Sequence, residues 1–504
     1  MLHKIVSIAT LLMFCNLTLG CTSQQKVLKE EVNDDPVETI VSVVMPSGQI
    51  LQFDTEGGRY HSTSGMIEGS SVDGTPIQVP LADVLYVQIR KADAAKSIAL
   101  TAGILAAGVL LMFGIIALTK ESCPFVYSWD GTQYVFDAEP LGGAISRGLT
   151  RSDYSRLEHL KAVDGSYRLR VQNEVEETQH IDEMKLLVVD HPPSVTVVPD
   201  STGRFYSVGE RVSPARATDE NGADLLPFIA RQDGIAWQSR LPADTTWRPG
   251  RLRNELTVVF PRPAAARSAR LVVNAGTTLW GSNMIREMLQ LRGSQLDAWY
   301  RDIDSAGPQL PAMFSFIERD QLYLLSLNVR EGNRWVRHGA IPGAGPLITE
   351  DRVLPLDLSG VTGDSVAFHL TPAFGFWSID YMAIQYDSLP PPNVTVVPLD
   401  EAFADDGTPM TQALREGDGD YVVMPLRGDR FDVAFTAPPL REGMSRSVFL
   451  QTSGYYEIHL DKNRPPAIET MKLLADQPGA SVQFALDAYQ RWLSELHGVR
   501  RDSK

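Results

Sequence analysis

The segment PPSVTVVP at residues 192–199 recurs as PPNVTVVP at residues 391–398. Upstream of each copy lies a matching element, Ile181-Asp182-Glu183-Met184 in the first and Ile379-Asp380-Tyr381-Met382 in the second. The period is about 200 residues, far longer than the roughly 20–50 residues of solenoid repeats. The pattern therefore predicts duplicated β-sandwich-like domains rather than a propeller or a β-helix.

A third, partial copy lies near the C-terminus, where Met471-Lys472-Leu473-Leu474 echoes Met184-Lys185-Leu186-Leu187. A strand-like segment precedes each of the three copies, at residues 167–171, 366–370 and 456–460. Each copy is therefore predicted to form a strand, a connection and a second strand. Because the repeated strands imply equivalent packing positions, we expect these residues to form the hydrophobic core rather than a functional site.

The chain beyond residue 120 is predicted to be mainly β. Strand-like residues 125–129 and 133–136 surround Asp130-Gly131-Thr132, a strong hairpin signal, and the 32 prolines and 39 glycines punctuate further short strands. Helices are predicted at residues 283–291 and 481–496, and the apolar stripe of the second favours docking on its own domain. The predicted domains are a β domain with the first repeat (122–215), a β-rich middle domain (216–385), and a region with the second and third repeats and the terminal amphipathic helix (386–504).

The N-terminal part of the mature chain is predicted to begin with a flexible tether at residues 22–38, which are polar and acidic. Residues 39–92 then predict a small β-barrel or roll of five or six short strands. Turns at residues 46–48 and at Asp73-Gly74 separate these strands. The pattern is typical of a spacer or docking module without chemistry of its own.

Residues 97–119 are 23 consecutive positions without a charge, flanked by Lys96 and Lys120. At about 1.5 Å per residue the run spans roughly 35 Å, enough to cross a bilayer. It is predicted to be one transmembrane helix. A buried soluble helix, apolar on every face, is the alternative.

Residues 1–21 predict an export signal, with Lys4 followed by a mostly apolar stretch. Leu17-Thr18-Leu19-Gly20-Cys21 resembles the lipobox of bacterial lipoproteins, which implies that Cys21 is lipidated and begins the mature chain. Thr18 stands where that motif usually has leucine, so an uncleaved hydrophobic anchor is the alternative. Only Cys123 would then remain as a free thiol, which excludes an intramolecular disulfide.

These two membrane signals conflict in their topology. Export of Cys21 followed by stop-transfer at residues 97–119 would place residues 120–504 in the cytoplasm. The basic residues Arg90, Lys91 and Lys96 precede the segment, however, and argue for a cytoplasmic N-terminal side. The C-terminal region is cytoplasmic, the first segment is an uncleaved anchor, or residues 97–119 pack against protein; the sequence leaves these three open.

The formal net charge of −16 disfavours nucleic acid and anionic lipid surfaces as partners. No phosphate-binding loop, dinucleotide fingerprint, zincin motif or nucleophile elbow occurs, so no cofactor, no metal site and no catalytic residue is assigned. Asp137 and Glu139 are a candidate carboxylate pair at a strand end. The dispersed histidines show no metal-ligand spacing. Two acidic clusters are weak calcium candidates: Asp400, Glu401, Asp405 and Asp406 form one, and Glu416, Asp418 and Asp420 the other.

The segment SCPFVYSWDG at residues 122–131, together with residues 188–192 and 453–457, resembles an uncharacterised bacterial region. Similar regions occur in envelope lipoproteins and beside FG-GAP or tetratricopeptide segments. The resemblance covers roughly residues 122–460 and implies a periplasmic or surface β-rich module. It implies no known reaction and no site residue.

The expected protein is thus a bacterial envelope lipoprotein, anchored in the bilayer through Cys21 and residues 97–119. Its expected role is a non-enzymatic binding or assembly module whose partners are other envelope proteins or glycans. An envelope enzyme that acts on glycans through carboxylates is the alternative. Cytoplasmic signalling by residues 120–504 is a third hypothesis, which topology alone would decide.

Overall fold

The computed structural model describes residues 22–28, 32, 39–45, 50–54, 57–71, 75–84, 86–92, 124–239 and 252–502. The described part of the chain is mainly β, as predicted, with 43% of its residues in strands and 18% in helices. It divides into two compact units, residues 1–114 with 496–504, and residues 115–495. The helices of the described residues include none with the length and apolar character needed to cross a bilayer. Cys21, Cys123 and residues 97–119 lie outside the described residues.

The small unit has the following strands in its described part: β1 (Thr22–Leu28), β2 (Thr39–Val44), β3 (Ile50–Gln52), β4 (Arg59–His61), β5 (Met66–Ser70), β6 (Pro76–Pro80) and β7 (Tyr86–Ala92). They form a sheet of order β1-β7-β2-β3 and a sheet of order β4-β5-β6. Phe53 lies at the centre of the core, where a Cβ atom at Gly58 or Gly69 would approach its ring to 2.6 Å.

Residues 22–28 differ from the flexible tether predicted for residues 22–38. They form β1, which pairs antiparallel with β7 over seven positions from Thr22 opposite Ala92 to Leu28 opposite Tyr86. An edge strand is held by backbone hydrogen bonds to its neighbour, so it requires no hydrophobic period. The polar composition that indicated a tether is compatible with such a strand.

The large unit begins with a hairpin at the position predicted from Asp130-Gly131-Thr132. Its strands are β8 (Phe125–Trp129), β9 (Tyr134–Ala138), β10 (Arg151–Arg156), β11 (Ser166–Gln172), β12 (Glu177–His191), β13 (Thr196–Pro199), β14 (Phe205–Val208), β15 (Arg216–Asp219), β16 (Trp237–Gln238), β17 (Leu256–Pro261), β18 (Ser268–Thr277), β19 (Leu324–Glu331), β20 (Arg334–Pro342), β21 (Glu350–Asp357), β22 (Ser365–Leu370), β23 (Trp377–Gln385), β24 (Thr395–Pro398), β25 (Glu401–Ala404), β26 (Val422–Met424), β27 (Arg430–Thr436) and β28 (Ser445–Ile458).

The helices of the large unit include both of the predicted ones. They are α1 (Leu226–Ile229), α2 (Leu279–Gln290), α3 (Leu296–Asp304), α4 (Gln309–Asp320), α5 (Ile468–Asp476) and α6 (Ala480–Asp502). The predicted stripe of α6 buries Val482 and Leu486, and Val482 packs into the core of the domain that contains α2. The helix therefore docks within its own chain, but on the core formed by residues 217–384 and not on the region 386–504 to which it was assigned.

The large unit contains two β-sandwich-like arrangements. The first sandwich has one sheet of order β25-β27-β11-β8-β9 and another of order β10-β28-β12-β24, with β26 also paired to β12. The second sandwich has sheets of order β15-β17-β22-β19-β20 and β16-β23-β18-β21. Each pair of sheets encloses one hydrophobic core.

Apart from β24, the two sandwiches have the same strand order when β8–β12 are matched with β19–β23, and β25–β28 with β15–β18. We call β8 to β18 the first copy and β19 to β28 the second copy. Each sandwich combines the early strands of one copy with the late strands of the other. β12 and β28, for example, pair antiparallel from Glu177 opposite Ile458 to His191 opposite Ser445.

The second sandwich is formed by strands between Arg216 and Gln385, which coincides with the predicted middle domain 216–385. The exchange differs from the other two predicted domains, 122–215 and 386–504. The first sandwich is built from residues 125–191 and 395–458, and the second sandwich lies between them in the chain. The reason is that a sequence repeat shows which segments are alike, but not which copy supplies the neighbouring strand.

The prediction of a third partial repeat was wrong. Met471-Lys472-Leu473-Leu474 lies in α5, whereas Met184-Lys185-Leu186-Leu187 lies in β12. Methionine, lysine and leucine are good helix formers. In β12 the tetrapeptide runs on into Val188 and Val189, whose branched side chains favour a strand, and α5 has no such residues after it.

Candidate functional site

A cavity of about 840 Å³ lies in the large unit where α2, α3 and α4 connect the first copy to the second. Further walls come from the loop that follows β9, the loop that follows β20, and α5. Most of the side chains that face it are apolar: Ile145, Leu149, Ile285, Met288, Leu289, Trp299, Met313, Phe316, Ile317, Met471 and Leu474. The cavity is therefore a large chamber with a mainly hydrophobic wall.

The first of the connecting helices, α2, is capped at its N-terminus and packs against the core of the second sandwich. Thr278 caps its N-terminus, since its hydroxyl accepts a hydrogen bond from the Gly281 amide at 3.1 Å. Trp280 and Met284 are buried in the core of the second sandwich. Ile285 and Met288 are three residues apart, share a face of the helix and line the cavity.

The second connecting helix, α3, packs against the end of the first sandwich. Its buried residues, Leu296, Trp299, Tyr300 and Ile303, recur at spacings of three and four and so form one face. This face contacts Tyr456 and Ile458 of β28 in a common apolar cluster. The cluster forms one side of the cavity.

The third connecting helix, α4, forms a thin wall. Asp320 at its last turn is buried, whereas Met313, Phe316 and Ile317 are only half-buried and Phe314 is 55% exposed. The C-terminal end is fixed by Arg319, which donates to the carbonyls of Leu474 at 2.7 Å and Ala475 at 2.6 Å. The helix thus exposes apolar side chains that the protein itself does not cover.

The loop after β9 contains strained backbone at the cavity edge. Leu141 has φ +70°, a left-handed conformation that residues other than glycine rarely adopt. Its side chain is fully buried, and its amide donates to the Asp153 carboxylate at 2.5 Å. These two contacts hold Gly142 and Gly143 against the cavity.

Arg292 is the distinctive polar residue of the cavity wall. It follows α2, and its guanidinium carbon lies 4.2 Å from the centre of the Trp299 ring. Within the described part of the chain, no carboxylate or carbonyl accepts a hydrogen bond from this guanidinium. Burial lowers the pKa of Arg292 to about 10, so the group stays protonated at neutral pH.

The other cations of the wall are paired. Arg151 donates to Asp153 at 2.9 Å, and Arg319 donates to Asp320 at 2.8 Å. A polar pocket of about 250 Å³ adjoins the cavity and shares Arg151 and residues 342–344 with it. Among the lining residues that the structure describes, Arg292 is thus the cation whose charge has no counterion.

The polar pocket contains a second charged pair. Glu350 of β21 bonds to Arg352 and accepts from Ser155 at 3.1 Å, and burial raises its pKa. β21 occupies in the second copy the position that β10, with Arg151 and Asp153, occupies in the first. Glu350 and Arg352, like Arg151 and Asp153, are thus paired within this pocket.

The predicted carboxylate pair has a structural role. Asp137 is buried and accepts hydrogen bonds from the amides of Glu158 and His159, both at 3.0 Å. Glu139 is also buried and accepts from the amides of Leu347 at 2.9 Å and Ile348 at 3.2 Å. Each carboxylate therefore holds a separate loop.

The predicted acidic clusters are not gathered into metal sites. Asp400 accepts from the Thr436 hydroxyl at 2.7 Å, Asp405 pairs with Arg430 at 2.5 Å, and Asp418 accepts from the Asp420 amide at 3.0 Å. Among the described residues, no group of three or more histidine, cysteine or acidic side chains is placed to hold a metal ion.

The cavity was missed at the sequence level, although one signal for it was present. Leu296, Trp299, Tyr300 and Ile303 have helical spacing, which indicates α3. The apolar residues of α4 lie within a segment that also contains Pro308 and Pro311, which obscures a helix. The unpaired state of Arg292 has no signature in sequence.

No family model matches the chain, and no curated protein matches it. One similar solved structure is a chain described under "Life in the extremes: atomic structure of Sulfolobus Turreted Icosahedral Virus". It is 8% identical, the match covers 67% of this chain and 99% of that chain, and the TM-score is 0.13. A TM-score of this size shows no common fold and carries no functional inference.

Proposed function

We propose that this protein is a binding module of the bacterial envelope that holds an apolar ligand in the cavity between α2, α3, α4 and α5. The observation that carries the proposal is the cavity of about 840 Å³ with its mainly apolar wall. Ligand pockets commonly measure about 300–1,000 Å³ and combine an apolar lining with a few polar groups. This cavity has both properties.

The energetics favour an apolar occupant. Met313, Phe316 and Ile317 of α4 are half-buried, and a ligand would remove part of their remaining surface from water. Burial of apolar surface contributes roughly 0.8 kcal/mol for each methylene group. An extended hydrocarbon chain is therefore the simplest ligand that uses this wall.

Location supports the same function. The sequence predicts lipidation at Cys21 and a membrane helix at residues 97–119, so the module would be held at a bilayer. Apolar molecules are concentrated in a bilayer, and a protein cavity shields them from water when they leave it. A periplasmic or surface-exposed location of residues 120–504 suits this role. It requires that the two signals do not both act as predicted: either the first segment is an uncleaved anchor, or residues 97–119 pack against protein.

The architecture is proposed to derive from duplication of one unit of about 200 residues. The equal strand orders of the two sandwiches and the repeat at residues 192–199 and 391–398 support this. The small unit is proposed to be a roll that serves as a spacer. The alternative role, an enzyme acting on glycans, gains no support from Asp137 and Glu139, because both bind backbone amides.

The test is photoaffinity labelling of the full-length protein in its membrane with a 16-carbon fatty acid that carries a diazirine at mid-chain. Peptides that contain Met288 or Met313 should be labelled, and excess unlabelled fatty acid should prevent it. The variant Ala312→Trp places an indole at the cavity wall and should reduce labelling. Ala298→Trp is the matched control, because Ala298 is an exposed residue of α3 outside the cavity. Absence of labelling, or equal labelling in both variants, would contradict the proposal.

A further inference from the structure

We infer that the ligand is a long-chain carboxylic acid whose carboxylate binds Arg292. This inference rests on the proposed function, since it names the class of ligand for the same cavity. Its starting observation is a protonated guanidinium in a mainly apolar wall that has no counterion among the described residues.

An unpaired cation at such a position is unfavourable. Removing a charge from water without a partner carries a large desolvation penalty. Stacking on Trp299 at 4.2 Å recovers a part of it through cation–π attraction. An anion brought by a ligand would recover more, through charge-assisted hydrogen bonds.

The stacked arrangement also suits a planar anion. When one face of a guanidinium lies on an aromatic ring, its N–H groups point outward in the plane and remain available. Two of them match the two oxygens of a carboxylate. Trp299 is itself buried and fixed in the α3 cluster, so the orientation of Arg292 is set before the ligand arrives.

The size of the charge disfavours phosphate monoesters. Arg151 and Arg319 are already paired with Asp153 and Asp320, so the wall offers one free positive charge among the described residues. A carboxylate carries one negative charge, whereas a phosphate monoester approaches two at neutral pH. A monocarboxylate with a single hydrocarbon chain therefore fits both the charge and the apolar chamber.

The location of Arg292 after α2 suggests a purely structural alternative. A cation near a helix C-terminus stabilises the helix dipole. In that role Arg292 would contribute to stability, but its replacement would not change the preference for one ligand head group over another. The experiment must therefore measure head-group preference rather than stability.

The test is competition against the photoreactive fatty acid on full-length protein in its membrane, with hexadecanoic acid and hexadecanol as competitors. In the wild type the acid should compete at a concentration at least about tenfold lower than the alcohol, because a charge-assisted bond is made by the acid only. Arg292→Gln should abolish this preference while competition by hexadecanol is unchanged. Arg292→Lys should retain a reduced preference.

The control is Arg301→Gln, which removes an exposed arginine of α3 outside the cavity and should keep the full preference. Equal competition by acid and alcohol in the wild type would overturn the inference and leave the proposed function intact. Loss of cavity labelling by every probe in the wild type would overturn the proposed function itself. A preference that survives in Arg292→Gln would show that another group binds the carboxylate.

Discussion

Asp182 and Asp380 are the extra residues of equivalent β-bulges, one in β12 of the first sandwich and one in β23 of the second. Asp182 accepts a hydrogen bond from the Gly419 amide at 2.9 Å, and Asp380 accepts one from the Gly234 amide at 3.3 Å. Each glycine follows an aspartate just before the short strand, β26 or β16, that lies beside the bulge. The two copies therefore agree in a tertiary contact that their sequences do not reveal.

The bulge carboxylates should make stability depend on pH. Burial raises the pKa of Asp182 and of Asp380, so the folded state binds their protons more tightly than the unfolded state does. Their stabilising contribution is complete at low pH and is lost as the pH rises through the folded-state pKa. Asp182→Asn and Asp380→Asn should therefore gain stability relative to the wild type as the pH rises above about 4, the ordinary pKa of aspartate, measured by urea unfolding.

Asp190 is a control, because its contribution to stability should change with pH in the opposite direction. Its hydrogen bonds from Arg446, the shorter at 2.6 Å, lower its pKa. Its contribution is present above the pKa of the unfolded chain and is lost as the pH falls. Asp190→Asn should thus lose stability relative to the wild type as the pH rises. If the two kinds of variant show the same slope, the assigned environments are wrong.

Glu139 should anchor the loop that follows β20. Glu139→Ala removes the acceptor for the amides of Leu347 and Ile348, and loss of a buried acceptor typically reduces stability by about 1–3 kcal/mol. Hydrogen exchange of these two amides should accelerate. Glu139→Gln keeps an acceptor oxygen and should have a smaller effect. Unchanged exchange in Glu139→Ala would contradict this assignment.

The α3 cluster should respond to the size of Ile303, which is fully buried. Ile303→Ala is expected to reduce the free energy of unfolding by about 2–5 kcal/mol and Ile303→Val by about 0.5–1.5 kcal/mol. Both should also weaken labelling of the neighbouring cavity, because α3 forms one of its sides. Equal stability of the alanine and valine variants would show that α3 is not packed as described.

The exchange of strands between copies predicts how fragments behave. A fragment of residues 122–215 contains β11 and β12 without their partners β27 and β28. It should lack cooperative unfolding in circular dichroism. The addition of a second fragment, residues 386–460, should restore a cooperative transition. A fragment 122–215 that unfolds cooperatively alone would contradict the strand exchange.

The sequence predicted the class of fold because the repeat at residues 192–199 and 391–398, the hairpin at Asp130-Gly131-Thr132 and the stripe of α6 are local signals. It did not predict the exchange of strands, since β11 and β27 are separated by more than 250 residues and pair through their backbones. Asp137 and Glu139 look like solvated acids at a strand end. Their burial depends on amides supplied by loops distant in sequence.

The site was less predictable than the fold. Leu296 and Ile303 have a spacing that indicates a helix, but a cavity is a volume left unfilled by several elements at once. Arg292 could not be singled out, because its distinction is the lack of a counterion among the described residues. The lack of a counterion can be recognised only when the positions of the carboxylates around Arg292 are known.

Native mass spectrometry of the full-length protein released from its own membrane tests whether the cavity holds a ligand. We expect one bound molecule per chain with the mass of a long-chain acid, retained by Ala298→Trp and lost from Ala312→Trp. A chain without any bound molecule, or an adduct that is equally abundant in both variants, would contradict the claim that this cavity is a ligand site.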